Sequence, residues 1–386
     1  MIETCVGLFP DRHISPKAIA AQCKALEDSP DVDGVLLPDQ LASFVPAQLW
    51  RPENTPLAEV MGDPDSLYDP FTLGAYIAAV APSLKLNFTT DAVRRPPAET
   101  VQTLLTLAEI TEGKVNVQVG GGEIKQTRPF GHPTNQSMSR MSDFMQIYRR
   151  FMDTDGPFDF EGKRWNFQGA YLGGAMNHKP EVWGLGAGPA LLDHVTSWAD
   201  GLATSAPSAF ATPERFAEAI AGVRRQLVEK GRDPKAFKIG LWASVLLQDD
   251  PNELAAAFEN PIVKFVSAAQ GRIETRQWRD EGLGLPLPDD WTYYKHLLPY
   301  EMDDALVEAV VAATTEEHVR RAWFTGSPKE VAAQIEPFLE VGVDWILCID
   351  YLPVVGSPAD AAAAAARGAE LCGHLKQAAA RVKRSA

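Results

Sequence analysis

No apolar stretch in this chain approaches the roughly 20 residues that a membrane-spanning helix needs, so no membrane role is expected. Cysteine is scarce. The four present, Cys5, Cys23, Cys348 and Cys372, show no CxxC pairing and no metal spacing. Buried reduced thiols in a cytoplasmic protein are the expectation. The start, Met1-Ile2-Glu3-Thr4-Cys5-Val6, lacks the basic segment and apolar core of a secretory leader. Positive charge is also short: 36 Lys and Arg against 51 Asp and Glu leave a net charge of −15. That balance argues against nucleic acid and against acidic membranes as partners. The seven histidines are scattered without an HExxH, so no metal site is expected. A GxSxG elbow and a GxxxxGK[ST] loop are both missing, which removes support for a hydrolase triad or a P-loop. Gly184-Leu185-Gly186-Ala187-Gly188-Pro189 begins like a dinucleotide fingerprint, but Pro189 stands where the last glycine is required.

What is present is a repeated alternation of strand and helix. At 386 residues and 45% hydrophobic, the chain can build a large core. Eight segments read as strands: Glu3–Phe9, Gly34–Pro38, Leu84–Thr89, Val115–Val119, Glu181–Leu185, Gly201–Thr204, Phe237–Leu247 and Trp345–Ile349. Helical patterns lie between them. Ser15-Pro16 and Thr212-Pro213 each pair a cap with a first-turn proline, and Pro97 leads into another helix. Ser327-Pro328-Lys329-Glu330 reads as a capping box. Parallel strands joined by crossover helices, eight times over, predict a closed (β/α)8 TIM barrel, with a doubly wound open sheet as the alternative. One barrel domain spans 1–386, with insertions near 42–69, 124–179 and 249–323. Connections of that length are commonly lids, binding loops or oligomer contacts. The last is rich in aromatics (Trp278, Trp291, Tyr293, Tyr294, Tyr300), which suits either an apolar substrate or a dimer interface.

The run Val115-Asn116-Val117-Gln118-Val119-Gly120-Gly121-Gly122-Glu123 alternates as a strand and then breaks into three glycines and a carboxylate. Glycines there permit a sharp turn and the close approach of a flat ligand. In barrel enzymes the chemistry sits at such strand ends. Gly186-Ala187-Gly188-Pro189 offers a second turn of this kind, opening a helix whose first amides can hold a phosphate. Arg94, Arg95, Lys125 and Arg128 also follow strand ends and could serve an anionic ligand or simply be solvated surface.

In this order and spacing, five motifs make the chain resemble the bacterial luciferase-like superfamily, in the branch that uses the deazaflavin coenzyme F420. They are Leu36-Leu37-Pro38-Asp39-Gln40, Leu86-Asn87-Phe88-Thr89-Thr90-Asp91, Gly120-Gly121-Gly122-Glu123, Gly186-Ala187-Gly188-Pro189 and Thr325-Gly326-Ser327-Pro328-Lys329-Glu330-Val331. The resemblance implies a luciferase-like barrel, commonly a homodimer, that transfers a hydride between F420 and a small organic substrate. It implies catalytic roles for Glu123, Gln40 and Asp39. It implies cofactor contacts from Asp39, Phe88, Thr89, Thr90, Gly121, Gly122, Gln126, Gly186, Ala187 and Gly188. It further implies a non-proline cis peptide at the end of the third strand, with Phe88-Thr89 the best match. Such a bond costs about 3 kcal/mol and needs enforcement by its surroundings.

One departure matters. The family commonly reads Asp-His where this chain reads Asp39-Gln40. An amide donates and accepts hydrogen bonds but does not titrate near neutral pH. Gln40 therefore cannot be a general base, and reduction of a carbonyl, enone or imine fits better than oxidation of an alcohol. Glu123 is the expected proton donor, held protonated by a partly apolar mouth. Phe44 and Trp50 are expected to wall the site. The alternatives are an FMN-dependent luciferase-like monooxygenase, a non-catalytic flavin-binding relative, and a barrel enzyme for a phosphorylated metabolite without flavin.

Overall fold

A computed structural model describes residues 2–385. Eight parallel strands close on themselves: β1 Glu3–Gly7, β2 Gly34–Pro38, β3 Lys85–Asp91, β4 Val115–Gly120, β5 Glu181–Leu185, β6 Gly201–Ala206, β7 Lys238–Leu247 and β8 Trp345–Asp350. Each pairs with the next, β7 pairs with β8, and β8 returns to β1 through Glu3 opposite Trp345. This is the (β/α)8 barrel, and all eight strands fall where the sequence pattern places them. A short ninth strand, Phe324–Gly326, extends the top of β7. An antiparallel hairpin, Phe158–Glu161 with Asn166–Ala170, lies inside the second insertion. Neither was expected, because each is too short to show a period.

The helices start where local chemistry says they should. Eight follow the barrel strands: α1 Pro16–Glu27, α2 Pro70–Val80, α3 Pro97–Ile110, α4 Ser137–Asp153, α5 Pro189–Trp198, α6 Pro213–Glu229, α7 Pro328–Leu339 and α8 Pro358–Ser385. Ser15 Oγ accepts the Ala18 amide at 3.2 Å, and Asp69 Oδ1 accepts the Thr72 amide at 2.8 Å. Ser327 and Glu330 cap each other's backbone reciprocally. A first-turn proline costs nothing here, since its missing N–H would have had no partner in the helix.

Side chains on a strand alternate between the helix layer and the barrel interior. Outward residues such as Val35, Phe88, Val117, Val182 and Ile346 join one apolar cluster with the helices. Inward residues form a separate one, Cys5, Leu36, Trp183, Ala203, Trp345 and Leu347. Trp183 and Trp345 meet edge to face at 5.8 Å. They fit because residue 240 is glycine: a Cβ there would lie 2.8 Å from one indole and 3.0 Å from the other. At the N-terminal end Lys85 Nζ joins Glu3 (2.9 Å) and Glu181 (3.2 Å). The interior wall of β3 to β5 is polar instead. Asn87 Oδ1, both amide atoms of Asn116, Gln118 Nε2 and Trp183 Nε1 are buried there without a protein partner.

The insertions are largely structured. Residues 249–323 carry helices at Pro251–Glu259, Pro261–Gln270, Asp304–Ala313 and Glu316–Ala322, and build a second apolar core around Phe265, Trp278, Trp291 and Trp323. Two of the aromatics singled out in the sequence, Trp278 and Trp291, are thus structural. No helix among the described residues is long and apolar enough to cross a membrane, and the four cysteines are free and buried.

Candidate active site

At the C-terminal rim of the barrel, each strand end fixes where its side chains go. Pro38 closes β2, and Asp39 follows with its carboxylate turned toward the helix layer. There it accepts Thr90 Oγ1 at 2.6 Å and is gripped by Arg95 Nε at 2.7 Å and by Arg94 at 3.2 Å. Arg95 also reaches Asp69, the cap of α2, at 2.6 Å. Burial alone would raise the Asp39 pKa, but the Arg95 hydrogen bonds and the Arg94 and Arg95 charges outweigh it and hold it below the ordinary carboxylate value. Every lone pair of this carboxylate is engaged within the protein. Asp39, Thr90 and Arg94 are buried and form, with the partly exposed Arg95, one ionic clamp between β2, β3 and the helices. Two of the four cations considered for an anionic ligand are therefore spent on Asp39.

On β3 the expectation fails at Phe88. Its ring faces outward, fully buried, stacked on Phe71 at 4.9 Å. A regular ladder continues past it, with Thr89 opposite Gln118 and Asp91 opposite Gly120. Phe88-Thr89 is trans, and the one cis peptide among the described residues is Ala206-Pro207. Thr89 is inward at the rim, where its Oγ1 accepts the Asp39 amide at 3.3 Å.

β4 ends in Gly120, and the turn beyond it needs its glycines. Gly122 has φ +84°, and a Cβ on Gly121 would lie 2.5 Å from Ser137 Oγ. Glu123 then precedes a one-turn helix, Ile124–Thr127. Its side chain is 27% exposed and lies 3.1 Å from Lys125 Nζ. Partial water contact and a cation replace the apolar surroundings expected for it. Lys125 itself is completely buried, donates to Ala42 O at 2.8 Å and sits 3.7 Å from the centre of the Phe44 ring. Burial pushes it below the ordinary lysine value, against the opposing Glu123 charge. Gln126 is occupied as well: Oε1 accepts the Leu41 amide at 2.6 Å and Nε2 donates to Ala42 O at 3.2 Å. That clamp brings half-buried Gln40 beside the helix that Glu123 precedes.

Aromatic rings wall this rim. Phe44 meets Tyr293 at 6.2 Å, Phe9 meets Tyr351 at 5.7 Å, and Phe9 remains 44% exposed. Burial, with the Glu123 charge second, pushes both the Tyr293 and Tyr351 phenols above their ordinary value. Inside the rim Trp242 Nε1 donates to Gln118 Oε1 at 2.7 Å. A cavity of about 160 Å³ adjoins Gly121, Gly122 and Glu123 and is also lined by Ser137, Tyr294 and Lys295. Trp50, also expected as a wall, packs against the second core, as Phe44, Tyr293 and Tyr351 do, and donates to Met61 O at 2.9 Å.

The β5 turn stands beside the β4 turn, since β4 and β5 are paired. Gly186 has φ +143°, and its amide is used by Ala203 O at 3.0 Å. Gly188 precedes α5 without any side-chain cap. The first amides of α5 thus point from an uncapped helix start, the arrangement that suits a phosphate.

The sequence model of luciferase-like monooxygenases matches residues 53–344. The chain belongs to that family. A phthiodiolone/phenolphthiodiolone dimycocerosates ketoreductase of Mycobacterium kansasii is 25% identical over 351 residues, covering 89% of this chain and 94% of the relative. Among solved structures, an F420-dependent secondary alcohol dehydrogenase in complex with an F420–acetone adduct superposes with a TM-score of 0.70. It is 16% identical, covering 98% of this chain and 99% of that one. A riboflavin lyase with modified FMN and riboflavin superposes with a TM-score of 0.64. It is 15% identical, covering 98% and 92%.

In this luciferase-like chain the rim therefore gathers Gln40, Thr89, Gly121, Gly122, Glu123 and the Gly186–Gly188 turn. Asp39, Thr90 and Gln126 stand one step behind it, as supports, and Phe88 faces the other way. Sequence reasoning did not single out Trp242, Gln118, Tyr351 or Phe9. The inward phase of Trp242 was readable from the alternation of β7. The placement of Phe9 and Tyr351, just past strand ends, was not.

Proposed function

We propose that this protein is an oxidoreductase that uses the deazaflavin coenzyme F420 to reduce a carbonyl, enone or imine on a small organic substrate. The reading rests on a rim carboxyl group, Glu123 after β4, together with an amide, Gln40 after β2, at the position where the family commonly has a histidine. The residues present fit a flat, phosphorylated redox cofactor. The uncapped start of α5, with Gly186, Ala187 and Gly188, suits its phosphate, and the inward Thr89 with the glycine turn after β4 would border its planar ring. When bound, that cofactor would supply the hydride. Glu123, beside Lys125, would be the group that exchanges a proton with the substrate heteroatom, and Gln40 would orient that atom by hydrogen bonding. Phe44, Tyr293, Tyr351 and Phe9 would exclude water and hold the substrate against the ring face. The likeness to the mycobacterial ketoreductase supports carbonyl reduction.

A second reading, an FMN-dependent monooxygenase, draws support from the structural likeness to an FMN-containing riboflavin lyase and from the family's name. Titration of the apoprotein with F420 and with FMN, followed by turnover under nitrogen and under oxygen, separates the two. Oxygen-independent oxidation of reduced F420 by a ketone or enone is the expected result. Tight FMN binding with oxygen consumption would replace it by the monooxygenase reading. Tight binding of either cofactor with no turnover across a carbonyl panel would leave a non-catalytic binder.

A further inference from the structure

A fully buried lysine beside a rim carboxylate calls for an account. Lysine is almost never buried completely without partners, because taking an ammonium out of water is costly. Lys125 has three partners from two parts of the chain, the turn after β4 and the first insertion. Glu123 Oε2 lies 3.1 Å away, Ala42 O accepts at 2.8 Å, and the Phe44 ring centre is 3.7 Å away. The Phe44 ring in turn meets Tyr293 of the third insertion at 6.2 Å. Beyond these contacts, Asp65 of the first insertion adds attraction and Arg94 adds repulsion. The neighbouring Gln126 bonds to Leu41 and Ala42, so that the first insertion is fastened to the 124–127 helix at adjacent points. The first and second insertions therefore meet at one ammonium group, the third touches it only through Phe44, and the rim carboxylate is its only ionic partner within 4 Å among the described residues.

We infer that Lys125 is a positioning residue, which locks the Glu123 carboxylate and the Phe44 loop into a single arrangement facing the barrel mouth. The effect on turnover rests on the function proposed above; the mechanical coupling does not. A cation held by one carboxylate, one carbonyl and one ring face has a fixed direction for each, so displacing any partner disturbs the others.

The test is Lys125→Met, which keeps the length and apolar packing of the side chain, alone and combined with Glu123→Gln. Hydrogen exchange on the apoprotein reads the coupling directly. Amides of Leu41, Ala42, Ser43 and Phe44 should exchange about tenfold or more faster in Lys125→Met. In the active enzyme Lys125→Met should lower kcat by about 10- to 100-fold, while changing the cofactor Kd less than about threefold. Added to Glu123→Gln it should cost less than about threefold more, because a residue that acts through another loses its effect when that other is gone. A fully additive loss, or unchanged exchange at residues 41–44, would overturn the inference. Should Lys125→Met not fold, Lys125→Gln carries the same comparison with a shorter polar side chain. Absence of turnover with either cofactor, together with faster exchange in the variant, would count against the proposed function and leave the coupling standing.

Discussion

At the scale of single residues, the rim separates groups free to meet a ligand from groups already committed. Glu123, held by Lys125 but still 27% exposed, can meet a ligand, and Glu123→Gln should lower turnover by about 10²- to 10⁴-fold with little change in cofactor affinity, as steady-state kinetics and binding titration will show. Gln40→His should move the enzyme toward alcohol oxidation by restoring a titratable base. No gain at any pH would remove Gln40 from the active site. Asp39 is committed. Its removal leaves Arg94, 5% exposed, with one carboxylate fewer, and Asp39→Ala should destabilise the fold by about 3–5 kcal/mol in denaturant titrations. Its folded pKa is depressed, so this clamp stabilises above the unfolded aspartate value and weakens as pH falls through the folded one. Asp350 behaves oppositely. Burial raises it to about 7, and its Oδ1 accepts the amides of Leu247 (3.2 Å) and Leu352 (3.0 Å) while Oδ2 has no partner. Its contribution is complete below the unfolded aspartate pKa and is lost as pH rises through about 7. Asp350→Asn keeps both amide bonds and should flatten the pH dependence of melting temperature between about pH 5 and 8.

Elements show a division between what their own residues settle and what neighbours settle. Cap and proline pairs at Ser15-Pro16, Thr212-Pro213 and Ser327-Pro328 start their helices as the sequence indicates, since the capping oxygen and the amide it serves lie within three residues. The end of β3 is a different case. The resemblance suggested a strained peptide at Phe88-Thr89, but unbroken pairing to β4 carries the strand straight through, and Phe88 fills a gap against Phe71 and Gly74. Inside the barrel the tolerance is small. Gly240→Ala would press on two indoles and should cost about 1–3 kcal/mol in equilibrium unfolding.

For the whole molecule, the barrel is a frame with one polar interior wall and a rim finished by its insertions. The unpartnered amide atoms of Asn87, Asn116 and Gln118 sit on adjacent strands, and an experimental structure should show ordered water bonded to them. The rim needs residues 42–44, 123–126 and 293–294 together, so ligand binding should report on the entire fold. Saturation with the true cofactor at about 100 times its Kd should stabilise the protein by roughly 2.7 kcal/mol. Thermal melts with F420 and with FMN should therefore differ, with F420 giving the larger shift.

The local order of the chain alone determined the eight barrel strands, the helix starts at Ser15-Pro16, Pro97, Thr212-Pro213 and Ser327-Pro328, and the two glycine turns. Each depends on periodicity or on contacts within a few residues, which a sequence displays. Tertiary structure decided which strand-end side chains face the mouth. Asp39 was legible as a strand-end carboxylate, but its two arginines come from residues 94 and 95 and turn it away from the opening. Lys125 could be read as a contact for an anionic ligand or as solvated surface, and it is neither exposed nor free, because Ala42 and Phe44, some 80 positions earlier, enclose it. Such placements follow from the pairing of distant segments, and no local pattern encodes the partner.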